Sequence, residues 1–557
     1  MIHFSPENIL LIGSILIFTA TLISRAGFKF GVPVLLLFIV VGMAFGVDGL
    51  GLAFDNFQIA QFIGTIALCV ILYCGGLETK FNSIKPVLKE GIVLSTVGVF
   101  LTALFTGGFI LLLTRVRHLD EGMSIVMCFL LAAVMSSTDS ASVFNILRNA
   151  NMKLKENLQP VLELESGSND PMAYVITIVL IQCAQQLFEP ASGIDIDYTR
   201  MIGNALLTFF LQLGIGAIVG VGLGKAFAWA LGKLQLNGAS LYAIFVLSVG
   251  FFIYSVTGLV YGNGFLAIYL AGVIIGNKTM PHKREVFRFS DTVTWLMQMG
   301  MFLTLGLLVN PKEMLSVAPV ALLIGLFLTF VGRPLAVFIS LLPFRDLSFR
   351  ARVFISWVGL KGATPIIFAI FTVVAGIPGS GQIFNIVFFI TMISMLFQGM
   401  SIPAVARKLN LALPQEKAPE TFGIEIPEEA GKLMDHRLTE TDLAAGDTLK
   451  EVALPEGTRV VMIKRDGELI VPDGSVKLKV GDKLLMIMGN QFVSLPLGCG
   501  SKSSHLSFSL CRNFYTNAKK RGMMSTKYKK KRKNYVETGT GKTRGYGRKT
   551  GKGDPCV

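Results

Sequence analysis

Ser136-Ser137-Thr138-Asp139-Ser140 interrupts an apolar run that extends over 123–144. Five consecutive polar side chains, one of them ionisable, do not suit a helix surrounded by lipid. Irregular backbone at membrane depth survives only where it is buried in protein or lines a cavity. The stretch therefore predicts a helix that unwinds part-way across a bilayer. A second stretch, Gly359-Leu360-Lys361-Gly362-Ala363-Thr364-Pro365, breaks the run 353–375 in the same manner.

Working outward from these two breaks gives thirteen apolar segments: 9–24, 32–47, 58–76, 91–114, 123–144, 171–187, 202–230, 241–260, 265–276, 295–309, 317–342, 353–375 and 383–405. Most approach the roughly 20 residues that a hydrocarbon core about 30 Å thick requires. The ninth is short and reads as tilted or broken; the seventh is long, as a steeply tilted or linking helix would be. Composition agrees: 52% of the 557 residues are hydrophobic and only 16% charged, with mean hydropathy +0.61, where soluble domains carry about 25% charged residues. The opening stretch lacks a basic region and carries Glu7, which predicts a retained first helix and not a cleaved leader.

Loop charge sets the topology. Alternate loops hold Arg25/Lys29, Lys80/Lys85/Lys89, Arg148/Lys153/Lys155, Lys225/Lys233, Lys278/Lys283/Arg284/Arg288 and Arg345/Arg350/Arg352, seventeen basic residues; the opposite loops hold Arg115, Arg117, Arg200 and Lys312. The positive-inside rule then predicts an outside N-terminus, an odd number of crossings and a cytoplasmic C-terminus. The breaks in the fifth and twelfth segments stand seven crossings apart and so enter the membrane from opposite sides. Segments 1–6 and 8–13 are thus expected to be inverted repeats around a midplane site, with the seventh as linker.

Three regions follow: a membrane exchanger at 1–410, a linker and small cytoplasmic module at 411–490, and a tail at 491–557. The linker reads as polar over 411–432, and short alternating stretches at 457–463, 468–472 and 481–487, bounded by Gly, Pro and Asp, predict a β-rich (α+β) module. The net charge of +15 belongs almost wholly to the tail, where sixteen Lys/Arg face only Glu537 and Asp554. That tail reads as disordered. It is either a genuine basic extension or the product of a reading-frame change near Asn490. The seven cysteines form no CxxC pair and the five histidines are scattered; no disulfide framework, histidine relay or resident metal site is expected.

The sixth helix opens ahead of its apolar run, with Val161-Leu162-Glu163-Leu164-Glu165-Ser166-Gly167-Ser168-Asn169-Asp170-Pro171. Glu163, Ser166 and Asp170 share one helical face, and an ionisable group inside a membrane is a functional candidate by default. The alternative is a cytoplasmic loop with Asp170 as a helix start before Pro171. Thr138 and Asp139 offer oxygen donors, which suit hard monovalent cations. Arg333 and Lys361 are cations within apolar segments; they pair with carboxylates, Glu163 or Glu165 being the candidates for Arg333, or they snorkel to an interface. Glu78 ends the third segment, on an access path or as a plain helix-end carboxylate.

At Gly75-Gly76-Leu77-Glu78, Ser137-Thr138-Asp139-Ser140, Glu165 to Pro171, Arg333-Pro334 and Gly359 to Gly362 the chain resembles the cation:proton antiporter superfamily, and most closely the bacterial NhaP-type potassium/proton antiporters. The resemblance covers the membrane part in order. It implies a thirteen-helix inverted-repeat fold in the cell (inner) membrane, a homodimer, and a carrier carboxylate at Asp170 with Thr138 and Ser166 as oxygen ligands to the transported K+ or Na+. Asn169 stands where electrogenic relatives have a second aspartate, which implies electroneutral exchange; Lys361 replaces an arginine found in many relatives. Residues 423–490 resemble the C-terminal domain of TrkA-type regulators, which implies a small regulatory ligand such as a nucleotide. No cofactor and no nucleic-acid partner is expected. The rival readings are a ligand-gated cation channel, for which no filter-like run of carbonyl donors is present, and a membrane ion sensor. No G-x-x-x-x-G-K-[ST] motif supports ATP-driven transport.

Overall fold

Each apolar segment coincides with helix over most of its described residues, and the two expected breaks are present. The computed structural model describes residues 6–30, 32–52, 54–116, 124–188, 197–414 and most of 432–488. The tail lies outside the described residues. By contact the chain divides into two units, Met1–Glu416 and Lys417–Val557. Among the described residues seven helices are long and apolar enough to cross a membrane, including Phe57–Glu78, Phe81–Arg115, Leu158–Phe188 and Tyr198–Lys233; shorter apolar helices include Val34–Phe45, Ile125–Val134, Gly264–Gly276 and Ala363–Val374.

The helices sort into two groups. In one, Gly264–Gly276 packs on Phe57–Glu78, Tyr198–Lys233 and Ala239–Leu259, while Lys283–Leu308 packs on Val34–Phe45 and Phe57–Glu78. Small residues let these backbones meet. A Cβ added to Gly42 would lie 2.5 Å from the Leu303 carbonyl, and one added to Gly76 would lie 2.6 Å from the Tyr269 carbonyl. In the other group, Ile125–Val134, Leu158–Phe188, Ala318–Phe327, Ala363–Val374 and Ser380–Ile393 interlock through large side chains such as Phe368, Phe388 and Ile390.

Several boundaries differ from expectation. The sixth helix begins at Leu158, three residues before Val161, and continues through Pro171. Asp170 is therefore inside a helix and not at its start. The polar face that hid this stretch in the sequence turns toward neighbouring helices. The tenth helix begins at Lys283, not near 295, because its first turns are amphipathic. The membrane unit also carries a short antiparallel pair, Met152–Leu154 with Ala412–Pro414, where a loop and a polar linker were expected.

In the second unit the strands Lys432–Arg437, Lys483–Met488, Thr458–Arg465 and Glu468–Ile470 form an antiparallel sheet in that order. Its core includes Leu438, Ile463, Leu478 and Leu484. The first strand falls at the edge of the stretch read as linker, and the described residues of this unit are strand, turn and loop.

Candidate functional site

The fifth segment is two half-helices, Ile125–Val134 and Ser140–Asn149, and the twelfth is also two, Phe349–Trp357 and Ala363–Val374. Their unwound stretches, 135–139 and 358–362, meet: the Asp139 N–H donates to the Leu360 carbonyl at 2.8 Å. Gly362 permits this approach, since an added Cβ would fall 2.7 Å from the Asp139 Cβ.

A broken helix leaves unpaired amides at one end and unpaired carbonyls at the other. Side chains take up both. Asp139 caps the second half-helix, accepting from the Ser142 N–H at 3.1 Å and the Ser142 hydroxyl at 2.5 Å. Lys361, 2% exposed, donates from Nζ to the Ser137 carbonyl at 2.9 Å, beyond the C-terminal end of Ile125–Val134. Cation and anion thus sit at the helix ends whose partial charges they complement. Lys361 does not snorkel.

Asp170 faces this crossing. Its carboxylate accepts from the Ser137 hydroxyl on one oxygen and from the Thr364 hydroxyl, at 3.1 Å, on the other. Ser166 donates to the Thr138 carbonyl at 3.1 Å and accepts from the Ser140 N–H at 3.1 Å. Asn169 donates to the Thr138 hydroxyl at 2.5 Å, and its Oδ1 is buried with no partner among the described residues. Of the two carboxylates open to Arg333, Glu165 is the one that meets it; both are buried, Arg333 at 2% and Glu165 at 1% exposure. Arg333 follows a π-turn, Leu328–Gly332, that precedes Pro334. Glu163 instead accepts from Gln159 at 2.9 Å and faces a cavity.

That cavity has a volume of about 300 Å³. Asp139, Ser166, Asp170 and Thr364 line its inner part, with Glu78 and Glu163 also on its walls. Thr138 and Asn169 stand behind the wall. Ser137 and Thr364 entered the sequence reading only as members of the two interrupted stretches, and Tyr269 did not enter it. Thr364 carried a readable signal, two residues past the Lys361-Gly362 break; Tyr269 carried none, being one aromatic residue in an apolar helix.

The transmembrane sodium/hydrogen exchanger family model matches residues 13–408. The chain belongs to that family. The exchanger is 37% identical over 490 residues to the K(+)/H(+) antiporter NhaP2 of Shewanella sp. (strain ANA-3), covering 87% of this chain and 82% of that one. It is likewise 37% identical over 489 residues to the K(+)/H(+) antiporter NhaP of Alkalimonas amylolytica, covering 86% and 81%. Its fold is shared with the sodium proton antiporter MjNhaP1 of Methanocaldococcus jannaschii, with TM-score 0.60 at 21% identity over 72% of this chain and 99% of the other. A TrkA-C domain matches residues 433–491. The exchanger is a multi-pass membrane transporter and not an enzyme.

Proposed function

We propose that this exchanger moves K+ against H+, one for one, with Asp170 carrying either the cation or the proton. The observation that carries this reading is the pairing of fixed charge. Glu165 holds Arg333, Asp139 caps a half-helix, and Lys361 holds a carbonyl at the opposite helix end. Asp170 has neither an ion-pair partner nor a helix end to complement it: its hydrogen bonds come from two hydroxyls. A buried bare carboxylate is costly unless neutralised, and either one proton or one monovalent cation suffices. Asn169, neutral beside it, adds no second carrier. A cation arriving at Asp170 finds Ser166 and the cavity's oxygens, with the Thr138 carbonyl behind them. The choice of K+ rests on the two bacterial relatives.

Alternating access follows from the inverted-repeat reading. The fourth and eleventh helices support it with reciprocal contacts. Each carries a π-turn, Leu94–Gly98 and Leu328–Gly332. An added Cβ on Gly98 would lie 3.5 Å from the Ser340 hydroxyl, and one on Gly332 would lie 3.1 Å from the Thr106 hydroxyl. Ser340 and Thr106 each stand eight residues beyond their own glycine, as a two-fold relation in the membrane plane demands. Thirteen crossings with the C-terminus in the cytoplasm fit the loop charges. A homodimer fits the thirty-six-residue helix Tyr198–Lys233, whose Gly203, Gly214, Gly222 and Gly232 face open space and offer close approach to a second copy. The TrkA-C domain is the place for a regulatory ligand.

Purified protein in liposomes containing a pH dye tests the reading. Addition of K+ should release protons with no sustained current on a solid-supported membrane, and Na+ should do so less. Asp170→Asn should reduce release to the protein-free background. Exchange at the wild-type rate in that variant would remove Asp170 as the carrier.

A further inference from the structure

One buried polar group in the cavity is used by none of the contacts described above. Tyr269, on Gly264–Gly276, is 2% exposed, and its hydroxyl, with the Thr79 and Ser168 side chains as polar neighbours, makes no well-formed hydrogen bond to any described residue. A buried phenol normally finds a partner, and leaving one unmet is costly. The ring is fixed in place. Its backbone carbonyl lies against Gly76, and its face lies on Gly167, where an added Cβ would stand 2.5 Å from Cζ and 2.7 Å from the hydroxyl oxygen. Both glycines are required for the aromatic residue to occupy this position.

The surroundings are those of a cation path. Gly167 and Tyr269 both line the cavity, and Gly167 precedes Asp170 by nearly one helical turn on Leu158–Phe188. Glu163 stands about one helical turn before Gly167, away from Asp170, and the same cavity holds Glu78 and Asp291, whose carboxyls face each other. A cation drawn in by those carboxylates must exchange water for protein oxygens before it reaches Asp170.

We propose that the Tyr269 hydroxyl is a cation-positioning residue. Its oxygen replaces one water of the incoming ion's shell, or holds the water that stays, one turn before Asp170. The phenol is suited to this: it is neutral, so it does not trap the ion as a third carboxylate would, and it stands on the helix group opposite to the broken helices. This rests on Asp170 as the carrier, and it assigns to Tyr269 an affinity role and not a turnover role.

Tyr269→Phe removes the oxygen and keeps the ring that packs on Gly167. The expected result is a half-saturating K+ concentration raised roughly tenfold, the size of one ion-facing oxygen, with turnover at saturating K+ within about twofold of wild type and an unchanged pH profile. K+ protection of the detergent-solubilised protein against heat should shift to higher K+ by the same factor, which reads binding without transport. An unchanged half-saturation, or lost turnover at unchanged half-saturation, would overturn the proposal. Asp170→Asn run in parallel separates the two readings: exchange that persists there removes Asp170 as carrier, whereas the heat-protection shift in Tyr269→Phe stands or falls on its own.

Discussion

Two regions of the membrane unit bring backbone close to backbone by opposite means. Where Val34–Phe45 meets Lys283–Leu308, and Phe57–Glu78 meets Gly264–Gly276, glycines face each other with intact helices on both sides: an added Cβ on Gly306 would lie 2.9 Å from the Gly42 Cα, and one on Gly272 would lie 2.6 Å from the Tyr73 carbonyl. Every backbone group there keeps its helical partner, and stability comes from van der Waals contact. Where 135–139 crosses 358–362, the helices are open and side chains hold the loose ends: Asp139, Lys361, Ser137 and Ser166. The first arrangement has one good packing. The second has polar groups that can exchange partners if a proton or cation arrives, as the carrier proposed at Asp170 requires. Rigidity and chemistry are thus assigned to different helix groups.

The sharpest way to break the contrast is to remove the fixed charge behind the crossing. Arg333→Ala leaves Glu165 buried and unpaired, and breaking such a pair costs about 3–5 kcal/mol. The variant should show the largest loss of thermal stability of any single change described here, with exchange lost as a consequence. Replacing both partners, Arg333→Met with Glu165→Leu, should restore much of the stability. If the double variant is as unstable as the single one, the pair is not the source of the loss.

The same substitution placed in each region sharpens the comparison. Gly42→Ala drives a methyl against the Leu303 carbonyl, which is backbone and cannot swing aside; overpacking of this kind costs about 2 kcal/mol. It should lower the melting temperature while the protein that folds retains wild-type K+ dependence. Gly362→Ala drives a methyl against the Asp139 side chain. It should cost less stability and more activity, because Asp139 must leave its cap to make room. Equal stability losses with equal activity would erase the distinction. Melting curves and dye-monitored exchange on the same preparations decide it.

How much of this was legible beforehand also divides by region. The broken helices announced themselves, because Ser136 to Ser140 and Gly359 to Pro365 violate the rule for lipid-facing sequence. Asp170, Glu165 and Arg333 were readable for the same reason: charge in an apolar run demands a partner. The choice between Glu163 and Glu165 was not. Two residues apart on a helix they point about 200° apart, and only the position of the neighbouring helices says which one meets Arg333. Tyr269 was invisible, since an aromatic residue in an apolar helix violates nothing. Its meaning comes from Gly167 on a distant segment. The short pairing of Met152–Leu154 with Ala412–Pro414 was hidden by its length, three residues on each side.

Outside the membrane the same pairing chemistry should have a smaller effect, which bounds the comparison. Arg465 donates from Nε and Nη2 to both oxygens of Asp482, at 2.9 and 2.7 Å, with side chains 23% and 2% exposed. Burial alone would raise the Asp482 carboxyl, but the Arg465 bonds and the Lys479 N–H outweigh it and hold the group below the usual carboxylate range. A carboxyl whose folded value is depressed contributes stability that is fully present above its unfolded value, about 3.9, and is lost as pH falls through the folded one. Strand amides of Thr458–Arg465 should therefore keep constant protection from hydrogen exchange, after correction for intrinsic rates, from neutral pH down to about 5, and lose it below about 4. Asp482→Asn should remove the carboxyl's own contribution to that acid step and cost about 1 kcal/mol at neutral pH, the partly exposed guanidinium finding water instead. A loss as large as that of Arg333→Ala would mean that exposure to water does not set the scale, and the contrast between the two environments would fall with it.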